Sequence, residues 1–342
     1  MIMHDKTGSE HTSVFRSHAW VQAWIDTWGK HPGLRLMDLG GSANPLECVY
    51  ITRTAFKKII PASCLCLAGT GFGKISTPRA EYNNLNALLA LAGSYESLMR
   101  LLAPLPWNLF PIPDVISPGV PEQQVLALAQ EADAEAHIAK REMAYSVNTG
   151  DWQSYLSGLG ANTRLSYFNR RKNLSALGQV DRHVYSLDRA HEFFVLLNQF
   201  HCLRWGSPCY AVDTQAFMVN LGQRLKDEQG QLLLESLTLN GKVISVLVDI
   251  EWQGVRYNLQ SGYYESKYPK IALGALHMGY AIEDAIYKRQ IYDFMAGFGK
   301  NINYKARIAT QQQLLKSYQL ERGWVKKLRQ LQRILHPRET PS

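Results

Sequence analysis

A chain of 342 residues is long enough for two domains of ordinary size, and its 46% hydrophobic and 19% charged residues are those of a folded globular protein. No apolar run approaches the ~18 residues of a membrane span, the polar first dozen residues lack the apolar core of a signal peptide, and five cysteines, an odd number, argue for reduced thiols in a cytoplasmic protein. A formal net charge of +8 favours an anionic partner, whether nucleic acid, an anionic membrane surface or a phosphorylated small molecule.

Residues 1–12 are polar and read as a loose end. Ser17 then reads as the N-cap of a helix whose Trp20, Val21, Trp24, Ile25 and Trp28 recur at core spacing. Strands are predicted over 34–39, 46–54 and 59–67, broken by Gly40-Gly41-Ser42 and Lys57-Lys58, an antiparallel meander. Cys64 and Cys66 share one face of the third strand, and no second Cys/His pair stands at ligand spacing, so they read as buried thiols and no metal is expected. The glycine-rich run at 68–74 lacks both the first glycine and the Ser or Thr of a phosphate loop, and reads as a connection. Arg79 to Asn83 read as a capping cluster for the helix through Leu88, Leu89 and Leu91. Six prolines between 104 and 121 forbid a helix there and leave room for a short edge strand near 107–110.

A helix is predicted over 121–143, sparse in apolar residues and suited to bridging two halves. Asp151 caps a short helix. Asn162 or Thr163 caps another, whose Arg164, Arg170, Arg171 and Lys172 form either a solvated face or the mouth of a cleft for an anionic acceptor. From Val180 the second half repeats the order of the first: a strand, two helices, then strands flanking Asn240-Gly241, the strongest short hairpin signal. Tyr257, Leu259 and Ser261 alternate as in a strand; Leu273, Leu276, Met278, Ala281, Ala285 and Ile286 recur as in a helix over 272–288; residues 291–295 form a further strand. Strand, helix and parallel strand make a right-handed crossover, and the unpaired first-turn amides of its helix suit phosphate oxygens. Residues 313–321 alternate and complete the sheet. The basic helix at 324–335 is predicted to pack through Trp324, Leu328, Leu331 and Ile334, with docking on anionic lipid as the alternative.

Ser261-Gly262-Tyr263, Tyr268, Gly274, Tyr292-Asp293-Phe294, Gly297 and Tyr304-Lys305 carry a resemblance to the GNAT acyltransferases, in the branch named for the CelD/BcsL proteins of cellulose biosynthesis. The likeness reaches back to Trp152, about half of the chain. It departs at Ala272-Leu273, where the family has Ser-Pro, and in a longer gap between Gly297 and Tyr304. The resemblance implies an α/β fold with mixed sheets in two tandem GNAT-like domains meeting at a shared cleft. These span 13–120 and 151–322, joined by a bridge at 121–150 and followed by a basic helix and tail at 323–342.

The implied activity is transfer of an acyl group, taken as acetyl, from acyl-CoA to an amine, such as an amino sugar or surface-polysaccharide precursor. The donor's pyrophosphate would meet Lys267, Lys270, Ile271, Ala272, Leu273 and Gly274, and its pantetheine arm would lie between the strands ending at Gly262 and Met295. Lys305 would stabilise the tetrahedral intermediate, Tyr304 would protonate the leaving thiolate and Asp293 would orient the amine. Tyr82, Asn83, Arg164 and Tyr263 would line the acceptor. No G-x-S-x-G elbow occurs, so a serine acyl-enzyme is not favoured. Two other readings stay open. One is a Fem-type transferase using aminoacyl-tRNA, which the charge permits although no RNA-reading signature is present. The other is a non-catalytic binding protein of polysaccharide assembly, docked on a partner or on the membrane periphery, which the two departures favour.

Overall fold

The computed structural model describes residues 13–73, 75, 77–265, 268, 271–297 and 304–335. They form two units, one of residues 13–142 with 314–335 and one of Met143–Gln313. In the first, the Ser17 hydroxyl accepts from the Trp20 amide at 3.1 Å and caps α1 (His18–Trp28). Trp20, Trp24 and Trp28 are buried, and Trp24 stacks on Tyr50 at 4.9 Å. The meander follows as β1 (Leu34–Asp38), β2 (Cys48–Phe56) and β3 (Ile60–Leu67). Its second turn holds Lys57 and Lys58 at φ 52° and 64°, a left-handed geometry costing a non-glycine residue about 1 kcal/mol.

After α2 (Asn86–Ala92) and α3 (Tyr95–Leu102), β4 (Leu109–Ile116) lies parallel to β3 and antiparallel to the late strand β11 (Gln311–Glu321). It is longer than the edge strand expected at 107–110, although it contains Pro111 and Pro113. Its ladder with β3 is the single pair Cys64↔Leu109. Further along, the Asn83 amide and side chain donate to the Asp114 and Pro113 carbonyls, so this flank needs few strand donors. Next, α4 (Val120–Glu131) has Pro121 in its first turn and stops well short of 143. Asp133 turns left-handed at φ 46°, and the amides of Asp133 and Ala134 return to the Gln130 and Ala129 carbonyls. That is a Schellman close, and it releases the chain into β5 (Glu135–Val147), where the sequence pattern predicted helix.

The second unit comprises α5 (Trp152–Gly158), α6 (Ala161–Arg164), a π-helical turn (Leu165–Asn169), α7 (Arg171–Ser175), β6 (Val180–Tyr185), α8 (Ala190–Trp205) and α9 (Val212–Arg224). The meander β7 (Gln231–Leu239), β8 (Lys242–Trp252) and β9 (Val255–Tyr263) turns at Asn240-Gly241, as predicted, and at Gln253-Gly254, with both residues of each pair left-handed. The crossover α10 (Leu273–Tyr287) then leads to β10 (Ile291–Ala296). The strand order is β1-β2-β3-β4-β11 in the first unit, to which residues 135–142 of β5 also belong, and β10-β9-β8-β7-β6 in the second, where residues 143–147 of β5 flank β10. The strands of each unit are mixed, with one parallel step after three antiparallel strands in the first and four in the second, so both units are α/β in the expected sense. Residues 121–142 and 314–322 belong to the first unit, neither a separate bridge nor part of the C-terminal half.

The last helix, α11 (Trp324–Leu335), reverses the expected packing. Arg329 pairs with Glu321 at 2.5 Å, Lys326 with Asp133 at 2.6 Å and Arg333 with Glu135, so its basic side faces the protein. Leu328, Leu331, Ile334 and Leu335 face outward.

Candidate active site

Parallel pairing of β9 with β10 covers Val255↔Ile291, Arg256↔Tyr292 and Tyr257↔Asp293, then ends. Beyond it, β9 pairs only with β8 as far as Tyr263, and β10 meets β5 again at Ala144. A bulge turns β10 aside: its register shifts between Asp293 and Ala296, and Met295 has φ 56°. Asp293 Oδ1 accepts from the Met295 amide at 2.6 Å, and Lys305 Nζ donates to the Met295 and Ala296 carbonyls at 2.9 and 3.0 Å. Asp293 and Lys305, expected to orient the amine and to face the oxyanion, are buried and hold this bulge. The result is a fork at the C-terminal ends of neighbouring parallel strands, where open α/β sheets receive ligands.

The first turn of α10 follows β9. Its N-cap is Ala272, which offers no side-chain acceptor. The Ile271 and Leu273 amides donate to the Tyr268 and Ile271 carbonyls at 2.8 and 2.9 Å, and their side chains enter the core with Leu174, Leu237 and Leu276. These two amides are therefore committed within the protein rather than presented to phosphate. Among the described residues the Ala272, Gly274 and Ala275 amides at the start of α10 have no hydrogen-bond partner. Lys267 and Lys270 lie outside the described residues. Gly274 is required by a neighbouring side chain: a Cβ there would stand 2.3 Å from a Tyr263 ring carbon.

Tyr304 and Ala275 both pack against one core cluster of the second unit. Burial raises the Tyr304 phenol above its ordinary range, helped by Tyr263 and opposed by Arg204. Burial likewise raises Tyr263, whose ring centroid lies 5.0 Å from the Arg204 guanidinium. Tyr167, raised by its own burial and by the charges of Tyr304, Tyr155 and Tyr263, completes a cluster of protonated phenols. It sits in the π-helical turn, whose carbonyl comes so near α10 that a Cβ on Gly279 would stand 2.0 Å from it. Sequence reasoning missed Tyr167 and Arg204. A π-turn has no sequence signature, and Gly279 is its one visible trace.

Arg164 donates to the Leu156 and Ser157 carbonyls at 3.2 and 3.4 Å, at the end of α5. Tyr82 and Asn83 belong to the other unit. There Asn83 is fully buried and its Nδ2 donates to the Ala80 and Pro113 carbonyls at 2.9 Å, while Tyr82 has φ 55°. Neighbouring Arg79 is bound by Glu81, Asp114 and Glu142.

A second feature absent from the sequence reading is a buried polar network against α10. His277 Nδ1 meets Ser245 Oγ at 2.9 Å and its Nε2 meets Glu235 at 3.1 Å, which resembles a hydrolytic triad. All three are buried, so substrate cannot reach them, and Glu235 is also held by both arms of Arg182 at 2.8 and 3.0 Å. Asp249 binds Arg256 at 2.6 Å and Asn258 at 2.7 Å, fixing β9 on either side of the last parallel pair.

Residues 161–306 match the family model described as Acetyltransferase (GNAT) domain. No curated protein matches the sequence. Among solved structures, the chain resembles FemX with a TM-score of 0.55 and 12% identity, over 94% of this chain and 98% of that one. It also resembles L-PGS from Bacillus licheniformis, with a TM-score of 0.51 and 10% identity over 96% and 99%. The C-terminal domain of a putative lysylphosphatidylglycerol synthetase from Agrobacterium fabrum gives 0.51 and 7% over 94% of each chain. These likenesses concern the fold. The narrower CelD/BcsL likeness rests on the sequence motifs alone. Residues 161–306, within the C-terminal unit, are thus similar to a GNAT acetyltransferase domain.

Proposed function

We propose that the C-terminal unit transfers an acyl group from acyl-CoA to an amine. The fork between β9 and β10, opening beside the unpartnered amides of Gly274 and Ala275, carries this reading. The pantetheine arm has amides of its own and would bond the unpaired edge of β9 as an added strand does. The pyrophosphate would take the two amides at the positive end of α10.

In the reaction a neutral amine attacks the thioester carbonyl, a C–N bond forms and the C–S bond breaks. Tyr304, kept protonated by burial, gives its proton to the departing thiolate and recovers one from the attacking nitrogen through solvent. The motif likeness favours acetyl as the acyl group and an amino sugar or polysaccharide precursor as the acceptor. An acyl-CoA donor and five free thiols fit a cytoplasmic enzyme.

Thermal shift tests the donor directly, because a ligand that binds only the folded protein raises its melting temperature. CoA thioesters are expected to raise it and to be consumed when an amine is added. A rise with aminoacyl-tRNA alone would replace this reading by a Fem-like one, and no rise with either would leave a non-catalytic protein.

A further inference from the structure

An amphipathic helix of a globular protein ordinarily turns its apolar stripe inward. α11 does the opposite. Arg329 is drawn inward by the buried Glu321, Lys326 and Arg333 are held at the surface by Asp133 and Glu135, and Val325 is its one buried apolar residue. Leu328, Leu331 and Leu335, spaced three and four apart on one stripe, are left 36%, 54% and 72% exposed, with Ile334 alongside at 74%. Lys327 has no ion-pair partner among the described residues.

A second observation lies in the same unit. The Phe56 ring meets the Trp324 ring edge-on at 5.8 Å, so the turn after β2 adjoins the first turn of α11. That turn reads Lys57-Lys58-Ile59, followed by Ile60. Ile59 is 82% exposed, and neither lysine has an ion-pair partner among the described residues. Both lysines hold left-handed backbone that glycine or asparagine would adopt more readily.

We propose that α11 and the adjoining lysine turn are a docking face for an anionic lipid bilayer. Leucines at helical spacing would enter the headgroup boundary, and unpaired lysines would meet the negative surface potential. A second copy of the chain fits less well, because a symmetric contact would bring Lys57, Lys58 and Lys327 of both copies together.

The test is co-sedimentation of the full chain with vesicles of phosphatidylcholine alone or mixed with phosphatidylglycerol. Binding is expected to the mixed vesicles, several-fold weaker to phosphatidylcholine and weaker again at high salt. The Leu331→Glu/Leu335→Glu variant should lose it. Lys57→Gln/Lys58→Gln, at a turn outside the helix, should weaken it roughly tenfold or more with melting unchanged. Failure to sediment with the mixed vesicles would overturn the proposal, as would unaltered binding by either variant. A concentration-dependent dimer that Leu331→Glu/Leu335→Glu abolishes, without vesicle binding, would assign the face to a second copy.

Discussion

With its ammonium on the carbonyls of Met295 and Ala296, Lys305 supplies donors to two buried oxygens at the end of the β10 bulge. Lys305→Ala is expected to cost about 2–4 kcal/mol in urea denaturation, because it leaves two buried acceptors unmet. Tyr304→Phe should behave oppositely, with denaturation unchanged and kcat lowered roughly 10–100-fold at nearly constant donor KM. Glu235 gives a pH prediction. Burial would raise its carboxyl, but the hydrogen bonds from His277 and Arg182 outweigh burial and hold it below the usual range. A folded pKa below the unfolded one contributes stability that is complete above the unfolded value, about 4.3, and is lost as pH falls through the folded one. Thermal melting should therefore drop below about pH 4, and Glu235→Gln, less stable at neutral pH, should show a shallower acid limb.

At the scale of elements, the crossover was legible because β9 and α10 differ in period and each holds its own. The fork was not, because it depends on a bulge at Met295 and an ammonium arriving from residue 305, neither of which has a local pattern. β5 was misread because residues 135–142 favour helix by composition, and the left-handed Asp133 overrides that preference. For α11 the sequence displays two faces but does not say which turns inward; Glu321, Asp133 and Glu135 decide it from elsewhere in the chain. Two element-scale changes follow. Ala272→Asp should cap α10 and gain about 0.5–1 kcal/mol, yet lose most of the CoA-induced thermal shift, because the carboxylate competes for the amides meant for phosphate. Ala272→Ser should gain stability and keep the shift. Arg289 closes α10 at φ 57°, with the Gln290 amide on the Ala285 carbonyl, so Arg289→Gly should raise the denaturation midpoint by about 0.5–1 kcal/mol of stability.

For the whole molecule, the order of strands matters more than their number. Tyr318 and Leu320 of β11 enter the same core as Phe110, Ile112 and Val115, roughly two hundred residues earlier in the chain. A chain ending at Gln313 should therefore fail to complete its N-terminal unit, and proteolysis should digest residues 13–142 while sparing much of 143–313. The same arrangement sets a timetable for synthesis. Every residue of the C-terminal unit leaves the ribosome before the strand that closes the N-terminal one, so the half made first is finished last, against the usual vectorial order. During that interval β4 waits without the neighbour that will cover it. An edge left open in this way can pair with another nascent chain until β11 arrives.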